Sequence, residues 1–193
     1  MPNWCDNLLK ITTDNPKLIT LIKQFIADEQ PLKDDKGLFD TLVPLNRDQV
    51  SDKEEDSLYF QAINKWGTKW DIGDSFDFLI LKDDETFEID LAFQSAWSPP
   101  IRLVDNIAKS FFVNDETKEA YQLDMALYFM ELGMDFCGSY FHNGLGDSGC
   151  DLSICEMLEK PNDDFLEIIE ALNFDLYALK SFFDIEEEDQ EQN

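Results

Sequence analysis

The sequence predicts an α+β protein built around an antiparallel sheet. Three observations carry this reading. Residues 76 to 94 alternate apolar and polar side chains on either side of a short turn, Tyr121 to Glu131 alternates again, and apolar stripes at helical spacing follow Pro16, Pro100 and Pro161.

In chain order, the opening segment to Thr13 reads as a strand with Leu9 and Ile11 on one face and Leu8 and Lys10 on the other. Asp14-Asn15-Pro16 supplies a cap and a proline at the first helical position. Leu18, Ile19, Ile22, Phe25 and Ile26 form the stripe of the helix that follows, which should end near Asp28 or Glu29. Residues 30 to 57 mix Pro31, Gly37, Pro44 and many acids around the apolar piece Phe39 to Leu45. They are expected as an acidic insertion running over the surface and mobile around Asp48 to Asp56. Between Ser57 and Trp66 a short helix would turn Leu58 or Tyr59, Ala62, Ile63 and Trp66 inward, and Gly67 suits the left-handed position past its end.

The hairpin comes next. Phe76, Phe78 and Ile80, then Phe87, Ile89, Leu91 and Phe93 after the turn at Lys82 to Glu85, make one dry face. The opposite face carries Glu88 and Asp90, about 7 Å apart on one side of a strand. Ser95 to Pro100 breaks the strand and opens a helix through Ile101, Leu103 or Val104, Ile107, Ala108 and Phe111. Leu123, Met125, Leu127 and Phe129 mark the inner face of a further strand, and after a turn at Gly133 the segment Met134 to Phe141 reads as another. Gly144 to Gly149 is a loop by composition. A last helix capped by Pro161 to Asp164 lines up Phe165, Ile168, Ile169, Leu172, Leu176, Leu179 and Phe183. Residues 161 to 193 hold 11 acids and one lysine, so the tail beyond Asp184 puts negative charge at the wrong end of the helix dipole and should fray.

This order is that of a ferredoxin-like split βαβ domain, residues 1 to 143, with its helices on one face of the sheet. Residues 144 to 193 would form a C-terminal extension adding a strand and an acidic amphipathic helix. Unless that extension covers it, the second face of the sheet carries Asp77, Glu88, Asp90 and Asp124.

The 42 acidic residues against 15 basic ones give a formal charge of -27, while 16 phenylalanines argue for a folded chain rather than acidic disorder. Such a charge repels nucleic acid and anionic lipid and steers the protein towards basic partners; solubility alone is the plainer explanation. With neither a long apolar run nor a secretory signal, a cytoplasmic protein is expected.

Cys5, Cys137, Cys150 and Cys155 are too few for a disulfide framework and are expected as free thiols. The only histidine, His142, falls with the last three in a C-x4-H-x7-C-x4-C array, which lacks the tight pairs of a zinc site; neither metal nor cofactor is expected. Ser148 has no candidate base except His142, and the glycine-rich stretch around it has no P-loop lysine, so no catalytic residues are assigned.

The most distinctive stretch is Trp66-Gly67-Thr68-Lys69-Trp70-Asp71. With Trp4, Trp97 and Pro99 it is expected to build an aromatic core at one end of the sheet. Lys65 and Lys69 would pair with Asp71 or Asp6 rather than with phosphate.

Four blocks, Met1 to Asn7, Trp66 to Asp71, Ala96 to Pro100 and Glu131 to Gly138, resemble in content and order the YubB ferredoxin-like domain family over residues 1 to 143. The resemblance implies a phage or conjugative-plasmid origin and a ferredoxin-like fold, and it brings no catalytic residue with it.

The function expected is therefore non-enzymatic: inhibition of a host nucleic-acid-binding defence complex, of CRISPR or restriction type, by acidic mimicry of DNA. Lys- and Arg-lined grooves bind polyanions with strong salt dependence. The partner-binding acids would be Asp77, Glu88, Asp90 and Asp124 on the sheet, Asp52, Glu54, Glu55 and Asp56 in the insertion, and Glu167, Glu170, Glu186 and Glu187 at the C-terminus. The alternative is a small-ligand or nucleic-acid module using the Trp66 to Trp70 region, with the acid serving solubility alone.

Overall fold

The computed structural model describes residues 3–27, 37–51, 53, 56–72, 76–83, 86–114 and 116–185. They form an α+β structure with one six-stranded antiparallel sheet and, among the described residues, seven α-helices. No helix among them is long and apolar enough to cross a membrane.

The strands are β1 (Trp4–Thr13), β2 (Phe76–Asp83), β3 (Phe87–Ala96), β4 (Leu123–Glu131), β5 (Phe136–His142) and β6 (Asp147–Leu152), in the spatial order β2-β3-β1-β4-β5-β6. Period-two alternation sets the two faces. Cys5, Leu9 and Ile11 of β1, Phe87 to Phe93 of β3 at odd positions, and Leu123, Met125, Leu127 and Phe129 of β4 are all buried on the first face. Four helices cover it: α1 (Pro16–Ala27), α2 (Leu38–Leu42), α3 (Leu58–Lys65) and α4 (Ile101–Phe111).

Local chemistry starts and stops these helices. The Asn15 side-chain oxygen accepts the N–H groups of Lys17 at 2.9 Å and Leu18 at 3.0 Å, with Pro16 at the first helical position as expected. Its amide donates to the Phe111 carbonyl at 2.6 Å, tying the start of α1 to the end of α4. Ser57 caps α3, and Gly67 leaves it at φ +86°, a conformation glycine adopts without penalty. The helix ending expected near Asp28 or Glu29 lies outside the described residues.

Three expectations are corrected. First, the 30–57 segment is not only a surface excursion, because Leu38, Phe39 and Leu42 of α2 are buried in the main core. Second, the loop expected at residues 144 to 149 overlaps β6, which pairs with β5 through backbone groups in spite of its polar sequence. Third, the last helix is interrupted. It forms α6 (Asp163–Leu172) and α7 (Leu176–Phe182), preceded by α5 (Ile154–Glu159), because Asn173 turns the chain at φ +56° and Asp175 caps a new helix. The helices of residues 1 to 143 lie on one face as expected, and the C-terminal extension covers part of the other, which the sequence leaves open. Tyr128, Met130 and Cys137 point to the second face and pack against Ile154, Leu158, Phe165, Ile168, Ile169 and Leu179 of the last three helices.

That second layer reaches across β5 and β4 to the edge of β1 and stops. Among the described residues no helix packs on the second face of β2 and β3. On β2 the first face is also incompletely covered, so Phe78 and Ile80, expected on the dry face, are exposed where the edge strand overhangs the helices. Leu58 and Tyr59 likewise face outward, and Ala62 and Trp66 supply the inward side of α3.

Candidate binding surface

The uncovered strip is read off the register. Lys10 of β1 pairs with Asp90 of β3, which pairs with Leu79 of β2; Leu8 pairs with Ala92, which pairs with Asp77; Thr12 lies between Asp124 and Glu88. The four sheet acids expected to share a face therefore do so. Their surroundings differ. Asp77 and Asp124 are exposed, whereas Glu88 and Asp90 are partly buried and Asp90 is 3.5 Å from the Lys10 ammonium. Asp6 joins the same strip and accepts a hydrogen bond from the Gln94 amide at 2.8 Å. Between this strip and the turn joining α6 to α7 lies an open groove of about 800 Å³, walled by Asp6, Leu8, Asp77, Ala92, Leu172 and Phe174.

The other acids are scattered. Glu167 is on α6, and its carboxylate accepts the Tyr128 hydroxyl at 2.6 Å. Burial first, and then this bond and the Glu167 charge, push the Tyr128 phenol well above its ordinary range. Glu170 is exposed on the same helix, and Asp56 accepts the Ser51 hydroxyl beside α3. Asp52, Glu54, Glu55, Glu186 and Glu187 lie outside the described residues.

At one end of the strip three of the four sequence blocks converge. The N–H of Trp97 donates to the Asn3 carbonyl at 3.0 Å, Thr68 Oγ1 to the Ala96 carbonyl at 2.9 Å, Ser98 Oγ to the Gly67 carbonyl at 2.7 Å, and Leu103 N–H to the Trp66 carbonyl at 3.1 Å. Pro99 lends its carbonyl to the N–H of Ile101 at 2.9 Å, tightening the entry to α4. Beneath them the buried Asn7 amide donates to the Cys5 carbonyl at 2.7 Å and to Ser95 Oγ at 2.9 Å. An asparagine at a core-facing position between Cys5 and Leu9 was the sequence signal for this knot.

The tryptophans do not form the shared core expected of them. Trp66 is 3% exposed, stands edge-on to Phe39 at 5.8 Å and donates its indole N–H to the Val43 carbonyl at 2.8 Å. Trp4, Trp70 and Trp97 are 46%, 44% and 50% exposed. Each block mixes buried and outward positions: Cys5, Trp66, Thr68 and Ala96 are buried, while Trp4, Trp70 and Trp97 point outward. Trp4 and Trp70 rings are 6.1 Å apart, and Trp97 holds φ +72°, unusual for a bulky residue. Lys69 pairs with neither Asp71 nor Asp6. Its ammonium lies 4.6 Å from the Trp70 ring centre and 5.7 Å from that of Tyr59, while Lys65 reaches the Pro44 carbonyl.

Asp71, assigned to this motif, works from below. Its two carboxylate oxygens accept the N–H groups of Phe39 at 2.8 Å and Asp40 at 2.7 Å, closing the first turn of α2. Burial raises its pKa to about 6 against the lowering effect of the Asp40, Phe39 and Ile72 amides.

The cysteine and histidine array is not assembled. Cys137 pairs with Leu152 on the second face and His142 sits an odd number of residues away, so the two point to opposite sides of the sheet. The same argument separates His142 from Ser148, which pairs with Phe141. His142 Nδ1 instead accepts the Gly144 N–H at 2.9 Å. Burial pushes the Cys5 and Cys137 thiols up to about 12, which suits packing rather than nucleophilic work. Asp135 caps α5: burial works to raise it, but the Cys155 amide and the Ser153 hydroxyl, each at 2.8 Å, hold the carboxyl below its ordinary value. Among the described residues no group of three His, Cys, Asp or Glu side chains converges as a metal site requires.

No family model matches the chain, and no curated protein or solved structure matches it either.

Proposed function

We propose that this protein is a non-enzymatic, ferredoxin-like binding protein that engages a basic nucleic-acid-binding partner through the uncovered strip of its sheet, presenting carboxylates where phosphates would lie. The observation that carries this is the alignment of Asp77, Glu88, Asp90 and Asp124 on the half-face that the C-terminal helices leave open. An ordered array on a rigid sheet gives specificity that scattered surface charges do not.

The ferredoxin-like reading is supported by the order β2-β3-β1-β4 with every neighbouring pair antiparallel, and by α1 and α4 in the two long connections packing on the same face. The resemblance of the sequence blocks to the YubB family adds a phage or plasmid origin. With it comes the target class: a host defence complex of CRISPR or restriction type, met in the cytoplasm of the host cell and inhibited by occupation of its nucleic-acid groove. Glu170 and the acids of the insertion and tail would extend the charged surface. No cofactor or catalytic group enters this reading.

A second reading, direct binding of nucleic acid or a small ligand near Trp66 to Trp70, is favoured by the exposure of Trp70. A charge of -27 opposes it. Capture from host lysate across a salt series separates the two. Mimicry requires retention of a nucleic-acid enzyme at low salt, release at high salt and competition by added DNA; direct DNA or RNA binding by the purified protein would overturn it.

A further inference from the structure

The knot that joins the three sequence blocks is made of backbone carbonyls, hydroxyls and amides. It has no need of the rings of Trp4, Trp70 and Trp97, yet all three stand half-exposed around it. Trp97 does so from a backbone conformation that bulky residues rarely adopt. Trp4 projects on the same face as Asp6, one side-chain repeat further along β1, so the Trp4–Trp70 ring pair is continuous with the acidic strip, and Trp97 follows Ala96, the residue paired with Trp4.

The ring faces here already receive a cation, since the Lys69 ammonium lies over Trp70 at 4.6 Å and Tyr59 at 5.7 Å. A charge of -27 concentrates further cations at the surface. Guanidinium groups suit such a junction better than ammonium groups. A planar guanidinium stacks flat on an indole while its N–H edge remains free to meet a carboxylate, and tryptophan and arginine dominate the energetic centres of protein interfaces.

We propose that the Trp4–Trp70 ring pair, with Trp97 next to the Ala96 that Trp4 pairs with, is the anchoring site for arginine side chains of a basic protein partner, with Lys69 as the resident cation that an incoming arginine replaces. The proposal rests on the reading of the open strip as the partner-binding face, and it adds the chemistry that the partner must present.

The test follows the four indole N–H signals of the full-length protein by NMR during titration at about 150 mM salt, where screening leaves only close contacts. The probes are an arginine-rich peptide, the same peptide with citrulline at every arginine, and oligothymidine. The arginine peptide should shift the signals of Trp4, Trp70 and Trp97 and leave that of buried Trp66 in place, and the citrulline peptide should shift none. Trp70→Ala and Trp97→Gly should each weaken binding about tenfold or more, the Trp66 signal reporting that each variant is folded. Lys69→Gln should tighten binding about two- to fivefold while Lys109→Gln, the same charge change on the exposed side of α4, should not.

Trp variants that bind within about twofold of the parent, equal binding of the citrulline peptide, or indole shifts produced by oligothymidine instead would overturn the anchor. The combined variant Asp77→Asn, Glu88→Gln, Asp90→Asn separates the two readings. Loss in the Trp variants but not in this one removes the acidic strip and keeps the arginine anchor, and the reverse result keeps the strip and removes the anchor.

Discussion

Asp71 holds the N-terminus of α2 from 32 residues away in sequence, its Oδ1 accepting the Phe39 N–H at 2.8 Å. The carboxylate reaches that position because Gly37 has no side chain: a Cβ there would sit 2.4 Å from the Asp71 carboxyl carbon. Gly37→Ala should therefore eject the carboxylate and cost about 1–3 kcal/mol by overpacking, read from the shift in a urea midpoint.

Burial raises the pKa of the same group from 3.8 to about 6. A folded-state value above the unfolded one contributes stability that is fully present below about pH 3.8 and is lost as the pH rises through about 6. Asp71→Asn lacks this dependence. Its stability relative to the parent should rise between those two values, by up to roughly 3 kcal/mol at 1.4 kcal/mol per pH unit. Denaturation at a series of pH values measures the difference and cancels the titration common to both proteins. If the parent gains on the variant instead, the two backbone N–H bonds outweigh burial.

Trp66, Trp70 and Trp97 should separate cleanly by stability. Trp66→Ala removes a buried ring and strands the Val43 carbonyl, a change worth about 3–5 kcal/mol. Trp70→Ala, at a half-exposed position, should cost under about 1 kcal/mol. Trp97→Gly should be neutral or stabilising, because glycine accepts φ +72° without strain. Thermal or urea unfolding of the three variants checks this ranking.

The sheet was largely legible from alternation, because Phe87 to Phe93 and Leu123 to Phe129 each bury every second residue over a long run. What escaped the sequence depends on partners remote in the chain. The five residues of α2 are too few to show a period, and their cap, Asp71, arrives from another block. β6 reads Asp-Ser-Gly-Cys-Asp-Leu, with no apolar alternation, and forms because β5 offers it backbone groups. Exposure of Trp4, Trp70 and Trp97 was hidden by residue type, since tryptophan at a turn suggests packing until the elements around it are placed. The break at Asn173 was legible, a left-handed residue followed by a capping aspartate, but it was masked by the apolar stripe running through it. Of the candidate site, the common face of the four sheet acids followed from parity alone, while the limit of the C-terminal layer did not.

Gly138 should be among the least replaceable positions of the sheet. A Cβ there would lie 2.2 Å from the Cys150 carbonyl and 2.5 Å from the Phe129 ring, both fixed by the β4–β5–β6 pairing. Gly138→Ala must displace β6 or the ring, at about 1–3 kcal/mol or more. Hydrogen exchange should show lost protection first along Asp147 to Leu152.

Salt should act with opposite signs on folding and on partner binding. A charge of -27 repels itself in the compact state, so raising ionic strength from about 20 to 300 mM, which shortens the Debye length severalfold, should raise the unfolding temperature of the free protein. The same change should weaken capture of a basic partner, because screening and loss of counterion release both act against it. Glu167 tells the two effects apart. Its carboxylate is held by the Tyr128 hydroxyl at 2.6 Å, so Glu167→Gln should cost about 1 kcal/mol of stability and leave the salt slope of binding unchanged. Asp77→Asn, at an exposed position on the open strip, should do the reverse, with stability held or slightly improved and a shallower salt slope. Equal slopes for the parent and Asp77→Asn would remove that carboxylate from the interface.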